Sequence, residues 1–268
     1  MNHPVLIRGG GDLATGVAVR LHRCGFRVVV TEIEKPLAVR RLVAFAQAVY
    51  ESECQVEGVR ARLSAKPSDV KKILEDGDVA VLVDPPADCR HELEPSVLLD
   101  ARMRKAAPEI GLEAAPFVIG LGPGFKVGRD CHAVVETKRG HDLGRVIWEG
   151  AAEIDTAIPE SVDGHDLDRV LRSPADGVLT EGIPLASLVE EGDEVARVGE
   201  GPIIAPFRGV LRGLLHDGVS VHRGMKVGDL DPRMDRTNAT RISDKALAVG
   251  GGVLEAILSQ EDNRKMLR

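Results

Sequence analysis

Apolar residues along this chain come in short blocks separated by glycine, proline or charge, and the period changes from block to block. Pro4 to Arg8 is apolar and runs into Gly9-Gly10-Gly11-Asp12, after which Leu13, Val17, Val19 and Leu21 keep a helical spacing that stops at Cys24-Gly25. The pattern predicts strand, glycine turn, helix. Phe26 to Thr31 is a β-branched run ending in Glu32-Ile33-Glu34-Lys35-Pro36, as in a strand buried on both faces. Val39 to Val49 has helical spacing, Gln55 to Leu63 predicts a strand, and Ser68 predicts the cap of a helix through Leu74. Val79 to Val83 predicts another buried strand, closed by Asp84-Pro85-Pro86. Pro95 to Ala107 reads as helix, and Phe117 to Leu121 as a strand running into Gly122-Pro123-Gly124. Strands and helices alternating at this interval predict an α/β unit with a doubly wound parallel sheet over residues 1–160.

From Pro159 to His165 the sequence turns polar, and beyond it no long helical pattern occurs until the tail. Pro174-Ala-Asp-Gly177-Val178-Leu179 recurs as Pro206-Phe-Arg-Gly209-Val210-Leu211, and Gly192-Asp-Glu-Val195 as Gly224-Met-Lys-Val227, each pair offset by 32 residues. Two copies of short strands and glycine turns predict a small all-β unit over 161–232 with pseudo-twofold symmetry, since a solenoid needs three or more copies. Residues 233–268 form a tail whose Ser243 to Leu258 stretch reads as a helix. Gly250-Gly251-Gly252 inside it costs about 1 kcal/mol per glycine relative to alanine, which points to close backbone packing.

Composition narrows the function. At 43% hydrophobic and 29% charged, the chain is an ordinary globular sequence. Its 42 acidic against 35 basic residues, a net charge of −7, and 3% aromatics argue against nucleic acid as a partner. The apolar run from Met1 to Arg8 is too short for a signal peptide, and no stretch approaches the ~18 apolar residues of a membrane span, so a cytoplasmic protein is expected. Cys24, Cys54, Cys89 and Cys131 form no CxxC pair, which indicates neither a disulfide framework nor a zinc site. Cys131, set among polar residues, is the cysteine of the four most open to exposure or reactivity, although a structural thiol is the expected role.

Two segments carry candidate chemistry. Gly9-x-Gly11-x-x-Ala14 lies between a strand and a helix, with Glu32 ending the next strand 21 residues after Gly11. Gly9 suits a tight turn and Gly11 a close approach of pyrophosphate. Ala14 suits helix–strand packing, and Gly10, Asp12 and Leu13 offer backbone N–H groups at a helix start. Glu32 then suits a ribose diol and favours an NAD-like ligand. The second segment follows the Phe117 strand: Gly122, Gly124, His132, Glu136, Lys138, Arg139 and His141, with Asp84 as a neighbour across the crevice. Lys138 and Arg139 suit phosphates, and His132 and His141 can exchange protons near neutrality. No metal-ligand spacing emerges.

At Arg8 to Gly16, at Gly120 to Phe125, at His132 and Glu136 to Ile147, and in the tail Ser243 to Leu258, the chain resembles the YqeB-type accessory proteins of selenium-dependent molybdenum hydroxylase systems. The resemblance implies a role in maturing a molybdenum hydroxylase, with no established reaction attached. It also invites analogy with the XdhC type of maturation factor, which has a Rossmann-like domain. The repeated region resembles the biotinyl/lipoyl barrel-sandwich hybrid. Its central hairpin, Val195-Ala-Arg-Val-Gly-Glu-Gly-Pro202, holds no lysine, so neither biotin nor lipoate is expected. The expected ligand is NAD or a molybdopterin dinucleotide, and the expected partner is a molybdenum hydroxylase, the chain itself forming a homo-oligomer away from membranes. An NAD-dependent oxidoreductase using His132 or His141 as acid/base, and a scaffold without ligand, stay open as alternatives, so catalysis is undecided.

Overall fold

A computed structural model describes residues 3–104, 108–154, 164–165 and 168–264. The chain forms two compact units, one of Met1–Pro36, Phe45–Asp155 and Ile242–Arg268, the other of Leu37–Ala44 and Thr156–Arg241. The tail is therefore divided, and from Ile242 onward it belongs to the first unit.

The first unit is built on a nine-stranded mixed sheet: β1 (Val5–Arg8), β2 (Val28–Glu32), β3 (Glu53–Val56), β4 (Val59–Ser64), β5 (Val79–Val83), β6 (Val97–Asp100), β7 (Phe117–Leu121), β8 (Ala133–Val135) and β9 (Val146–Ile147). Their order is β3-β4-β5-β2-β1-β6-β7-β8-β9, parallel from β4 through β8 and antiparallel at both edges. The inner strands are almost wholly aliphatic and buried, because both faces of a parallel sheet are covered. Helix α1 (Asp12–Arg23) joins β1 to β2. Short helices α2 (Ala48–Glu51), α3 (Val70–Glu75) and α4 (Arg90–Leu93) lie on later connections.

Three local expectations change. The helix expected over Pro95 to Ala107 is replaced through residue 104: Val97–Asp100 is the buried strand β6, inserted between β1 and β7, and the stretch 105–107 lies outside the described residues. Gln55 to Leu63 is not one strand but the β3–β4 hairpin, turned at Glu57 (φ 45) and Gly58 (φ 85), both in the left-handed region that a two-residue hairpin turn requires. Val39 to Val49 is not one helix, since the chain passes from one unit to the other at Ala44–Phe45. The Phe45 N–H donates to Thr15 Oγ1 and the Ala46 N–H to the Gly10 carbonyl, so neither is available to a helical ladder.

In the tail, α5 (Thr237–Thr240) precedes α6 (Asp244–Ser259), which Ser243 caps by accepting the Ala246 N–H at 3.2 Å. Helix α6 packs on α1, and on the loop between β8 and β9, at distances only small residues allow. A Cβ on Gly16 would lie 2.6 Å from the Ala246 Cβ, one on Gly250 3.3 Å from the Gly16 carbonyl, and one on Gly252 2.0 Å from the Gly144 carbonyl.

The second unit holds two four-stranded antiparallel sheets made from β10 (Val170–Arg172), β11 (Gly177–Thr180), β12 (Leu188–Val189), β13 (Glu194–Val198), β14 (Gly201–Ile204), β15 (Gly209–Leu214), β16 (Ser220–Val221) and β17 (Lys226–Asp231). The sheets run β10-β17-β15-β12 and β14-β13-β11-β16. Replacing β10, β11, β12 and β13 by β14, β15, β16 and β17 interchanges the two orders, so the 32-residue repeat becomes two equivalent halves that exchange strands. The hairpin between β13 and β14 turns at Gly199-Glu200, with Gly199 at φ 58. Two carboxylates on β17, Asp229 and Asp231, are buried and held by Arg169, Arg212 and Arg233.

Candidate functional site

Strand order and connection together mark a reversal point in the sheet. From β1 the chain proceeds to β2 on one side, and from β6 to β7 on the other, so the carboxyl ends of β1 and β6 flank the point where the winding reverses. Open parallel sheets bind ligands at such a point. The Gly9–Gly11 turn leaves the sheet there.

The three glycines have different reasons to be glycine. Gly9 has φ 93, and a Cβ on it would press on the Arg102 backbone at 3.3 Å. A Cβ on Gly10 would stand 2.8 Å from the Ala46 nitrogen, so residue 10 faces the protein. Gly11 is the open position: a Cβ on it would meet nothing within 4 Å. Gly11 also begins α1, which has no side-chain cap, and Asp12 accepts the Leu13 N–H at 3.0 Å. Leu13 is partly buried, and Ala14 is buried against the sheet.

Glu32, at the end of β2, bends back to the turn. Its Oε2 accepts the Gly10 N–H and its Oε1 the Ile33 N–H, both at 2.8 Å. The carboxylate is thereby fixed beside the glycines while keeping further lone pairs for hydroxyl donors. Asp84 ends the neighbouring strand β5, but both its oxygens are used locally, accepting the Asp88 and Cys89 N–H groups at 3.1 and 2.7 Å.

The second candidate segment is distributed differently. His132 precedes β8 and lies at the amino edge of the sheet, the edge opposite the glycine turn and three strands from β1. Its Nδ1 accepts the Val118 N–H at 2.9 Å, and the ring borders a cavity of about 650 Å³ shared with His3, Arg90, Glu94 and Glu113. Gly122, Gly124, Glu136, Lys138 and Arg139 are at the carboxyl edge, beyond β7 and β8. Gly122 packs on Thr137, where a Cβ would lie 2.3 Å from the hydroxyl, and Gly124 has φ 104. Glu136 is buried and accepts the N–H groups of Thr137, Lys138 and Glu153 at 2.7 to 2.8 Å. Lys138 pairs with Glu153, and Arg139 forms a two-pronged pair with Asp244 at the start of α6 at 2.6 and 2.7 Å. The His141 side chain is exposed. This segment anchors the C-terminal helix. Cys131, set among polar residues in sequence, is fully buried as a structural thiol, and burial pushes it up to about 12, which makes it an inert packing group at neutral pH. Among the described residues no three His, Cys, Asp or Glu side chains are grouped as a metal site, and no helix is long and apolar enough to cross a membrane.

Sequence reasoning missed the groups that actually sit at the reversal point. Arg8, the last residue of β1, is 2% exposed; its guanidinium donates to Asp100 at 3.1 Å and to the Pro85 carbonyl at 3.0 Å. Burial pulls its pKa below the usual arginine value, the neighbouring Asp100 working against that. Arg102 grips Asp100 from the other side, Nε at 2.9 Å and Nη2 at 2.6 Å, and also reaches Glu109 at 2.6 Å. Glu109 is shared with Arg104 and lies 3.6 Å from Arg8. The available signal was a charged residue closing an apolar run, in Val-Leu-Ile-Arg8 and in Val-Leu-Leu-Asp100.

No family model matches the chain. Over 254 residues, 95% of its length, it is 48% identical to the uncharacterized protein YqeB of Escherichia coli K12, and it spans about half of that relative, 47% of its length. Among solved structures it is similar to an aspartoacylase family protein from Mesorhizobium loti, at 11% identity and a TM-score of 0.27, covering 85% of this chain and 84% of that one. It is also similar to the product-bound ectoine utilization protein EutE (DoeB) from Ruegeria pomeroyi, at 14% identity and a TM-score of 0.25, covering 85% of each chain.

Proposed function

We propose that the first unit is a Rossmann-like module that takes a dinucleotide, NAD or a molybdopterin dinucleotide, at the Gly9–Gly11 turn, and that the chain serves in the cytoplasm as an accessory protein in maturing a molybdenum hydroxylase. The observation that carries the ligand reading is the open face of Gly11 at the start of α1, beside the reversal point of the sheet and with the Glu32 carboxylate fixed next to it. Glu32 in this reading accepts ribose hydroxyls with the lone pairs left over from Gly10 and Ile33. The second unit is read as a barrel-sandwich hybrid of the biotinyl/lipoyl type without a carrier lysine, a packing or docking module for the partner or for a second copy. The maturation role is supported by the resemblance to YqeB-type proteins.

Calorimetric titration of the intact chain with NAD, NADP and CDP tests the ligand. Binding of NAD or CDP is expected, with NADP weaker because Glu32 repels a 2′-phosphate. Glu32→Arg should weaken NAD by about tenfold or more, the scale of a lost hydrogen bond to a charged group. No heat with any of the three, in protein shown to be folded, overturns the reading. An accessory role further predicts no change in the reduced-nicotinamide absorbance with hydroxy or amino substrates.

A further inference from the structure

We propose that Arg8, Arg102 and Arg104 form a phosphoryl-binding site at the carboxyl ends of β1 and β6, and that Glu109 is its built-in, displaceable occupant. The carboxylate of Glu109 meets Arg102 at 2.6 Å and pairs with Arg104, with Arg8 at 3.6 Å, so one anionic group already bridges three guanidinium groups. The two carboxylates in the cluster are not equivalent. Asp100 is buried, ends a central strand and accepts from both Arg8 and Arg102, which makes it part of the frame. Glu109 is on the connection after β6 with its side chain 48% exposed, where an ion pair contributes little and is easily exchanged.

Charge sets the class of ligand. Three guanidinium groups against Asp100 leave two positive charges, of which Glu109 neutralises one, whereas a phosphoryl dianion would neutralise both and match their forked donors. Among the described residues the Arg8 Nε is buried with no hydrogen-bond partner. The cluster also adjoins the glycine turn, since the Arg102 backbone packs on Gly9. The turn itself carries Asp12 and Glu32, so phosphate charge there is better placed on the arginines than on the start of α1. This inference rests on the reading that a phosphorylated ligand is taken at this edge, and a nucleotide pyrophosphate or free phosphate would supply the same chemistry.

The test is titration of the intact chain with inorganic pyrophosphate at low ionic strength. Glu109→Gln should bind about tenfold more tightly than the unaltered chain, because a like charge has been removed from the site. Adding Arg104→Ala, at a side chain half exposed to solvent, should abolish that gain. A Glu109→Gln chain that binds pyrophosphate no better, or a gain that survives Arg104→Ala, overturns the proposal. Competition separates the sources: NAD or CDP displaced by pyrophosphate identifies a nucleotide's phosphates, and pyrophosphate binding without nucleotide binding identifies a free anion. In the latter case the dinucleotide reading fails and the arginine site stands; a nucleotide that binds with no competition overturns the site and leaves the dinucleotide reading intact.

Discussion

Asp100 sits under two guanidinium groups, and its removal would strand the more buried of them. Asp100→Ala leaves Arg8, 2% exposed, with the Pro85 carbonyl and the distant edge of Glu109. Breaking a buried pair in this way costs about 3–5 kcal/mol, so the urea midpoint should fall steeply; a loss under about 1 kcal/mol would mean that water reaches Arg8. Gly120 makes a second case, since a Cβ there would lie 2.3 Å from the Phe125 ring. Gly120→Ala should cost about 1–3 kcal/mol by overpacking, and Phe125→Leu in the same chain should recover part of it, a coupling that a double-mutant cycle measures. At this scale the site was half legible. The glycine turn and Glu32 announce themselves by spacing. Arg8, Asp100 and Arg102 do not, because their meaning depends on β6 lying beside β1, a pairing of residues 92 apart in sequence.

Among the elements, the packing of α6 on α1 and on the loop between β8 and β9 turns on individual glycines within one triplet. Gly252 is fixed by the Gly144 carbonyl 2.0 Å from where a Cβ would be, whereas a Cβ on Gly251 would meet nothing within 4 Å. Gly251→Ala should therefore raise stability by up to about 1 kcal/mol through helix propensity. Gly252→Ala should lower it by more than about 2 kcal/mol, because two backbones would have to separate. Equal effects of the two substitutions on thermal unfolding would refute the packing argument. The triplet's cost in helix propensity already implied such a contact in the sequence, and the 32-residue repeat implied the paired sheets. Elements were misread where propensity and position disagree. Ala101-Arg-Met-Arg-Lys-Ala-Ala107 is rich in helix formers, and it masked the four-residue strand immediately before it. The Glu57-Gly58 turn carries no asparagine or proline, so two strands looked like one.

For the molecule as a whole, acid is the condition that acts on both units in one direction. In the second unit burial alone would raise Asp231, but hydrogen bonds from Arg233 and the charges of Arg212 and Arg233 outweigh it and hold the carboxyl below its ordinary value. In the first unit the Arg129 side chain, with the Lys126 N–H, holds Asp130 low in the same way. A carboxyl whose folded pKa is depressed contributes stability that is complete above its unfolded value, about 3.9, and is lost as pH falls through the lower folded value. Urea midpoints should therefore hold from pH 7 to about 5 and decline below about 4. Arg233 is 41% exposed in its side chain, so Arg233→Ala should fold; it should lose about 1 kcal/mol at pH 7, the scale of a hydrogen bond to a charged group. The variant must also show a shallower decline toward pH 3, because Asp231 would then titrate closer to its unfolded value. Arg129→Ala, at a side chain 63% exposed, should flatten the acid limb likewise from within the first unit. Midpoints that run parallel to those of the unaltered chain at every pH would show that these carboxylates contribute nothing to acid sensitivity.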